Sequence, residues 1–447
     1  MKRGLRGIRP IRILPFGFLL IILLGTVLLC LPAASKSGVG LNFFDALFTS
    51  TSATCVTGLI VVDTATQFSL FGQAIILLLI QVGGLGFMTM AAGLFMMVRK
   101  QVSLYERMTL MQGLGESHLT GLRGIAITAA KITAVCEGAG AVLLSISFIP
   151  RFGLWDGIWK SIFHSVSAFC NAGFDILGTF ASFEQGYSGD ILVNFTLMAL
   201  IVTGGLGFAV VLNVVKTPKI RKWRLHTRMV VLASAALILI GWALFLILEW
   251  GRAYANLPAG EKVLAGLFQS VTLRTAGFST VSQATLSEPS KFVSIIWMLI
   301  GGSPAGTAGG IKTTTVVVLF LAVRAMMKNR AEITVGRRRI GQQLIIRALS
   351  LLIFAMVILF AATLAVSLLE RGNSELGLVS IVYELASALG TVGLTSGLSG
   401  VATAGTKVIL IVLMFIGRVG MITVALSFTR QKREAQLRYP VEEVPIG

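Results

Sequence analysis

Four stretches of this chain carry glycine, threonine and small residues in one recurring register: FTSTSATCVTG at 48–58, FHSVSAFCNAG at 163–173, FQSVTLRTAG at 268–277 and YELASALGTVG at 383–393. Their closing glycines, Gly58, Gly173, Gly277 and Gly393, are 115, 104 and 116 residues apart. The chemistry open to such residues is coordination of a cation stripped of its water. Carbonyl oxygens are dipoles without full charge, so they hold a monovalent ion and still release it. Turning successive carbonyls to one side requires backbone angles that glycine adopts without a Cβ penalty. No carboxylate lies within 54–58, 169–173, 273–277 or 389–393, so the acidic ring suited to divalent ions is missing. Arg274 stands where the other copies have Cys55, Cys170 and Gly390. A cation facing the axis would repel the ion, so Arg274 is expected to point behind its loop to an acidic or carbonyl partner.

Elements must hold these loops together. Each copy follows one long apolar segment and precedes another, which gives a unit of span, short amphipathic helix, glycine-bearing loop and span. Of 447 residues 55% are hydrophobic and 13% charged, with mean hydropathy +0.86, so lipid is the expected solvent. Apolar runs of bilayer length cover about 13–32, 71–98, 125–149, 191–215, 229–250, 292–323, 344–369 and 406–428. The net charge of +19 does not indicate nucleic acid, because 26 of 38 Lys and Arg fall in 1–12, 99–123, 216–228, 324–347 and 430–438, all on one side of the spans. The positive-inside rule makes that side cytoplasmic, with both termini there. The fold expected is an all-α membrane protein of four pseudo-repeats, eight spans around one central pore: 1–98, 99–215, 216–325 and 326–447. Contact of 324–347 with membrane lipid is compatible with its charge.

The third unit departs from the rest. Its second apolar segment is interrupted by GGSPAGTAGGIK at 301–312, where five glycines and Pro304 within ten residues cannot hold a regular helix. Non-helical backbone at membrane depth persists only when buried in protein or lining water, so a flexible plug beneath the loops is expected. Arg418 in the last span needs carbonyls, an acid or water, and the interrupted segment offers carbonyls at similar depth. Lys131 and Glu137, six residues apart in the third span, are expected to be structurally paired. His164 reads as a hydrogen-bonded packing residue, and GGLG at 83–86 and 204–207 as small-residue helix packing. The cysteines 30, 55, 136 and 170 form no disulfide framework. Lys312-Thr313 is no phosphate-binding loop, since Ile311 breaks the spacing.

The fourfold loops, SAFCNAGF at 167–174, TLRTAGFST at 272–280, GGSPAGTAGGIKTTT at 301–315 and GRVG at 417–420 together resemble the membrane subunit of the Trk/Ktr/HKT superfamily of potassium transporters, most closely its KtrB type, over about 13–430. The resemblance implies a potassium selectivity filter of Thr54, Cys55, Val56, Thr57 and Gly58, of Cys170, Asn171, Ala172 and Gly173, of Thr275, Ala276 and Gly277, and of Thr391, Val392 and Gly393. It implies a gate of Gly302, Ser303, Pro304, Ala305, Gly306, Thr307, Ala308, Gly309, Gly310, Lys312 and Arg418. A serine replaces the first glycine in sodium-passing plant relatives, so Gly58 favours potassium. Two further N-terminal spans of Trk-type relatives are absent, which favours the Ktr branch. Also implied are a homodimer in the plasma membrane and a cytoplasmic RCK-type (KtrA-like) ring that binds the nucleotide, which this chain itself does not bind.

Potassium uptake through a gated pore is the leading reading, with sodium dependence left open. The alternatives are an ion-coupled alternating-access carrier, which also uses repeats and a broken helix, and a sodium-permeable member of the same superfamily. No nucleophile, base and orienter set suggests an enzyme.

Overall fold

An apolar helix starts where a side chain can satisfy its first free N–H groups. The computed structural model describes residues 10–86, 122–178, 186–330, 332–335, 338–373, 377–421 and 423–424. The basic segments at 1–9, 99–121 and 430–438, and Arg337, lie outside them. A long helix, a short buried helix, a loop and a further helix follow one another: α1 (Pro10–Leu29), α2 (Phe43–Thr54) and α3 (Leu70–Leu85), then α4 (Leu122–Phe152), α5 (Leu154–Phe169) and α6 (Ile191–Leu206), continued by α7 (Phe208–Lys216). The same order returns in α8 (Leu225–Glu249), α9 (Ala259–Thr272) and α10 (Glu288–Leu299), continued by α11 (Thr313–Met327), and in α12 (Gln342–Leu369), α13 (Leu378–Gly390) and α14 (Ala404–Val419). Ser69, Asp190, Ser287 and Thr403 each accept the backbone N–H three residues on, and so open α3, α6, α10 and α14.

Glycines close three of those four helices. Gly86, Gly207 and Gly420 have φ of 78°, 87° and 97°, a region closed to most side chains. The continuous span expected over 191–215 is therefore corrected to two helices meeting at 102° across Gly207. The helix expected over 406–428 stops at Val419, and of 71–98 only the part to Gly86 is described. Among the described residues, Ile127–Phe152, Leu225–Glu249 and Gln342–Leu369 are long and apolar enough to cross a bilayer, with the bent pair a fourth candidate. Their flanks expose Ile146, Leu239 and Phe360, apolar surface that lipid would cover.

The packing runs in a circle. Helix α3 lies on α5, α6 on α9, α10 on α13, and α14 returns to α2. A 2.9 Å ion pair between Lys407 and Asp45 joins the last contact. Lys131 and Glu137 do not pair: six residues on a helix turn about 240°, which leaves Lys131 exposed while Glu137 receives the Gln81 amide at 3.3 Å.

Candidate functional site

Each short helix, α2, α5, α9 and α13, delivers its loop in the same twisted conformation. The residue two before the glycine has positive φ in every copy: Val56 at 56°, Asn171 at 60°, Thr275 at 65° and Thr391 at 51°. The glycines are positive too, at 95°, 69°, 80° and 93°, and the residue between them is not. Three of the four non-glycine outliers are β-branched, for which left-handed backbone is strained. Such strain persists only where the surroundings impose it, and it concentrates at functional sites.

The four glycines meet. A Cβ added to Gly58 would strike Ala172 O, one on Gly173 would strike Ala276 O, one on Gly277 Val392 O, and one on Gly393 Thr57 O, in each case at under 3.0 Å. The contacts pass from copy to copy in chain order and close on the first. Above them lies a cavity of about 370 Å³ lined by all four glycines with Asp175, Gln283, Thr395 and Ser399 among others. Thr54, Thr57, Thr275 and Thr391 are buried, and their hydroxyls have no protein partner.

The remaining loop residues sit behind this ring. Cys55 is buried in an apolar cluster, and Cys170 Sγ lies 3.8 Å from both Gln81 Oε1 and Glu137 Oε1. Arg274 is buried as expected behind its loop, but its partner is neither acid nor carbonyl: Nη2 donates to Ser234 Oγ at 2.9 Å, and Nε has no partner. His164 bonds Lys160 O through Nδ1 at 2.6 Å and accepts the Ile176 N–H at Nε2 over 3.3 Å.

The segment between α10 and α11 lies under the ring and is pinned rather than slack. Ile300 and Ile311 pair in a parallel bridge. Ser303 N–H donates to Gly205 O at 2.9 Å, Thr307 N–H to Gly204 O at 3.1 Å, and Ala305 O receives Phe208 N–H at 3.1 Å. The Thr307 hydroxyl donates to Phe169 O at 3.0 Å and lies 3.2 Å from the Asn171 amide. Gly309 abuts Thr391 and Gly390, and Lys312 Nζ donates to Ala308 O at 2.8 Å. Pro304 and Gly306 reach the α6 break, where Gly207 lies against Pro304 O and Gly306 against Gly204 O and Gly205 O. Ser303 Oγ and Gly302 O meet the Thr313 hydroxyl at 3.1 and 3.2 Å. Only Gly310 of this run has positive φ besides Ala305, at 65° and 58°. Arg418 donates to Thr307 O from the fourth copy, and to Gly83 O and, at 3.1 Å, Gly84 O of the first. One guanidinium thus ties the third, fourth and first copies together beneath the ring.

A family model described as "TrkH: Cation transport protein" matches residues 18–437. The chain belongs to the TrkH family. It is 38% identical to the potassium/sodium uptake protein NtpJ of Enterococcus hirae, over 100% of this chain and 99% of that one. It is also 38% identical to the Ktr system potassium uptake protein B of Bacillus subtilis, over 98% of this chain and 97% of that one. With the protein of the same description from Vibrio alginolyticus the identity is 35%, over 98% and 94%. The crystal structure of the potassium transporter TrkH from Vibrio parahaemolyticus superposes with a TM-score of 0.70 at 19% identity, covering 96% of this chain and 86% of that one. TrkH-family membership makes this a transporter rather than an enzyme, and the structural likeness agrees with its helical fold.

Sequence reasoning missed the residues that hold the TrkH-family loops in place. Ser52 Oγ and Ser387 Oγ accept the N–H of Gly58 and Gly393, each at 3.1 Å. Ser167 and Thr272 instead donate to Phe174 O at 2.8 Å and Phe278 O at 2.6 Å, the carbonyls just past their glycines. The pattern was visible, since the fifth residue of every copy is Ser or Thr.

Proposed function

We propose that this chain is the pore-forming membrane subunit of a potassium uptake system. Its eight spans fall in four pseudo-repeats, 1–98, 99–215, 216–325 and 326–447, around a central passage. The observation that carries this is the mutual approach of Gly58, Gly173, Gly277 and Gly393 with a strained residue two positions before each. In this reading the carbonyls of 54–58, 170–173, 275–277 and 391–393 replace water around K+. Glycines 58, 173, 277 and 393 are then the selectivity positions. Residues 302–310, Lys312 and Arg418 form the gate, and its carbonyl bonds keep the passage shut below the filter. Potassium binds as cargo. The placement of Lys and Arg supports a plasma-membrane orientation with both termini cytoplasmic.

The Ktr-system names of the relatives support control by a separate cytoplasmic subunit. We extend this to a KtrA-like, RCK-type ring that binds the nucleotide, seated on a homodimer of this chain. The name of the Enterococcus hirae relative favours a part for sodium, as a required co-ion or a second permeant ion. Purified chain in potassium-loaded vesicles, assayed with and without external sodium, tests the reading. Rapid Rb+ or K+ flux that exceeds Na+ flux is expected. Equal flux of both ions, or none of K+, would refute it.

A further inference from the structure

The residue after the aromatic that opens each copy is polar and buried in all four: Thr49, His164, Gln269 and Glu384. Three of them reach past the glycine to hold the outgoing chain. His164 takes the Ile176 N–H, and Glu384 takes the N–H of Ser396 at 2.9 Å and of Ser399 at 3.1 Å. Gln269 exchanges amide bonds with Gln283 at 2.6 and 3.1 Å. Thr49 turns back to Asp45 O in its own helix at 2.8 Å.

The third clamp carries a hydrogen bond across to the next copy. Tyr383, at the position held elsewhere by Phe48, Phe163 and Phe268, donates its hydroxyl to Gln283 Oε1 at 2.8 Å. Gln283 Nε2 also lies 3.1 Å from Ser279 Oγ and 2.7 Å from Val281 O. Gln283 is 3% exposed and its exposed edge lines the cavity over the four glycines. One amide therefore binds the third outgoing segment to α9 and to α13.

The third loop has particular need of such support. It is one residue shorter than the others between its Ser/Thr and its glycine. Ala276 N–H consequently bonds Thr272 O four residues back, whereas Thr57, Ala172 and Val392 bond Ser52, Ser167 and Ser387 five back. Arg274 behind it has a single side-chain partner. A fully bonded buried network resists displacement of any of its members.

We propose that Gln283, braced by Gln269 and Tyr383, is a positioning residue for ion discrimination, setting the spacing between the third and fourth loops at the cavity mouth. The proposal rests on the potassium-pore reading. It is tested by uptake of K+ and Na+ into vesicles carrying wild type, Tyr383→Phe, Gln269→Leu, Gln283→Leu and the Tyr383→Phe/Gln283→Leu double variant, with KM and Vmax for each ion. Tyr383→Phe introduces the residue its three counterparts already have, so insertion at wild-type level is expected. The K+/Na+ ratio should fall by about threefold in Tyr383→Phe, as for partners in one bonded network, and further in Gln283→Leu, through KM for K+ rather than the amount of chain inserted. The double variant should match Gln283→Leu, because Tyr383 acts through that amide. Wild-type ratios in Tyr383→Phe and Gln283→Leu, or losses that multiply in the double variant, would overturn the strut. A wild type that does not itself prefer K+ would instead refute the pore reading beneath it.

Discussion

At the level of the cavity the four copies are nearly interchangeable. Each has left-handed backbone two residues before its glycine, and each glycine meets a carbonyl of the next copy. Beneath the ring they diverge. Among the described residues, the helices of the first, second and fourth copies end at Gly86, Gly207 and Gly420, the third dissolves into 300–312, and the fourth supplies Arg418, which binds carbonyls of the third and first. Coordinating an ion evenly asks for equivalent groups on all sides. Closing a passage asks for one element that differs from its neighbours and has somewhere to move. Equivalence above and inequality below support the proposal that selection is followed by gating.

The largest break in that comparison should come from the upper level. Gly58→Ser places a side chain at φ 95° against Ala172 O. A left-handed side-chain-bearing residue costs about 1–2 kcal/mol, and 1.4 kcal/mol is a factor of ten, so the K+/Na+ uptake ratio should fall on the order of tenfold, and an unchanged ratio would separate Gly58 from selection. At the lower level, Arg418→Ala, or deletion within 303–309, should raise basal flux several-fold and leave the ratio near wild type. Wild-type flux in both would remove the gate.

Two smaller effects lie outside the passage. Burial alone would raise the Glu370 carboxyl, but bonds from Thr406 and Thr403 hold it below the usual carboxylate range. A depressed carboxylate stabilises above its unfolded pKa and loses that contribution as pH falls through its folded pKa. Thermal stability in detergent should therefore drop on acidification, with that component missing in Glu370→Gln. Lys407→Ala removes the partly screened pair with Asp45 and should cost under about 1 kcal/mol of stability. A larger loss would show that the contact of α14 with α2 depends on it.

The loops were legible because glycines recur at one register between apolar runs, and the 301–312 interruption because five glycines and a proline exclude a helix. Other features were not. A glycine inside an apolar run serves close packing or a chain break equally well, and GGLG does both: Gly83 lies against Thr54 O, while Gly86 stops the helix. The opposite charges of Lys131 and Glu137 suggested a pair, but helix pitch sends them to different faces. Arg274 was expected to find an acid or a carbonyl, and tertiary packing instead offered Ser234 from α8. No local pattern predicts which distant hydroxyl will face a buried guanidinium.

The most direct test of the central claim is anomalous scattering from crystals grown in thallium or rubidium as potassium congeners. Density is expected on the axis among the carbonyls of Thr57, Ala172, Ala276 and Val392, beside Gly58, Gly173, Gly277 and Gly393, weakening as sodium replaces the congener. Ions bound elsewhere in the chain, with none between those four glycines, would contradict it.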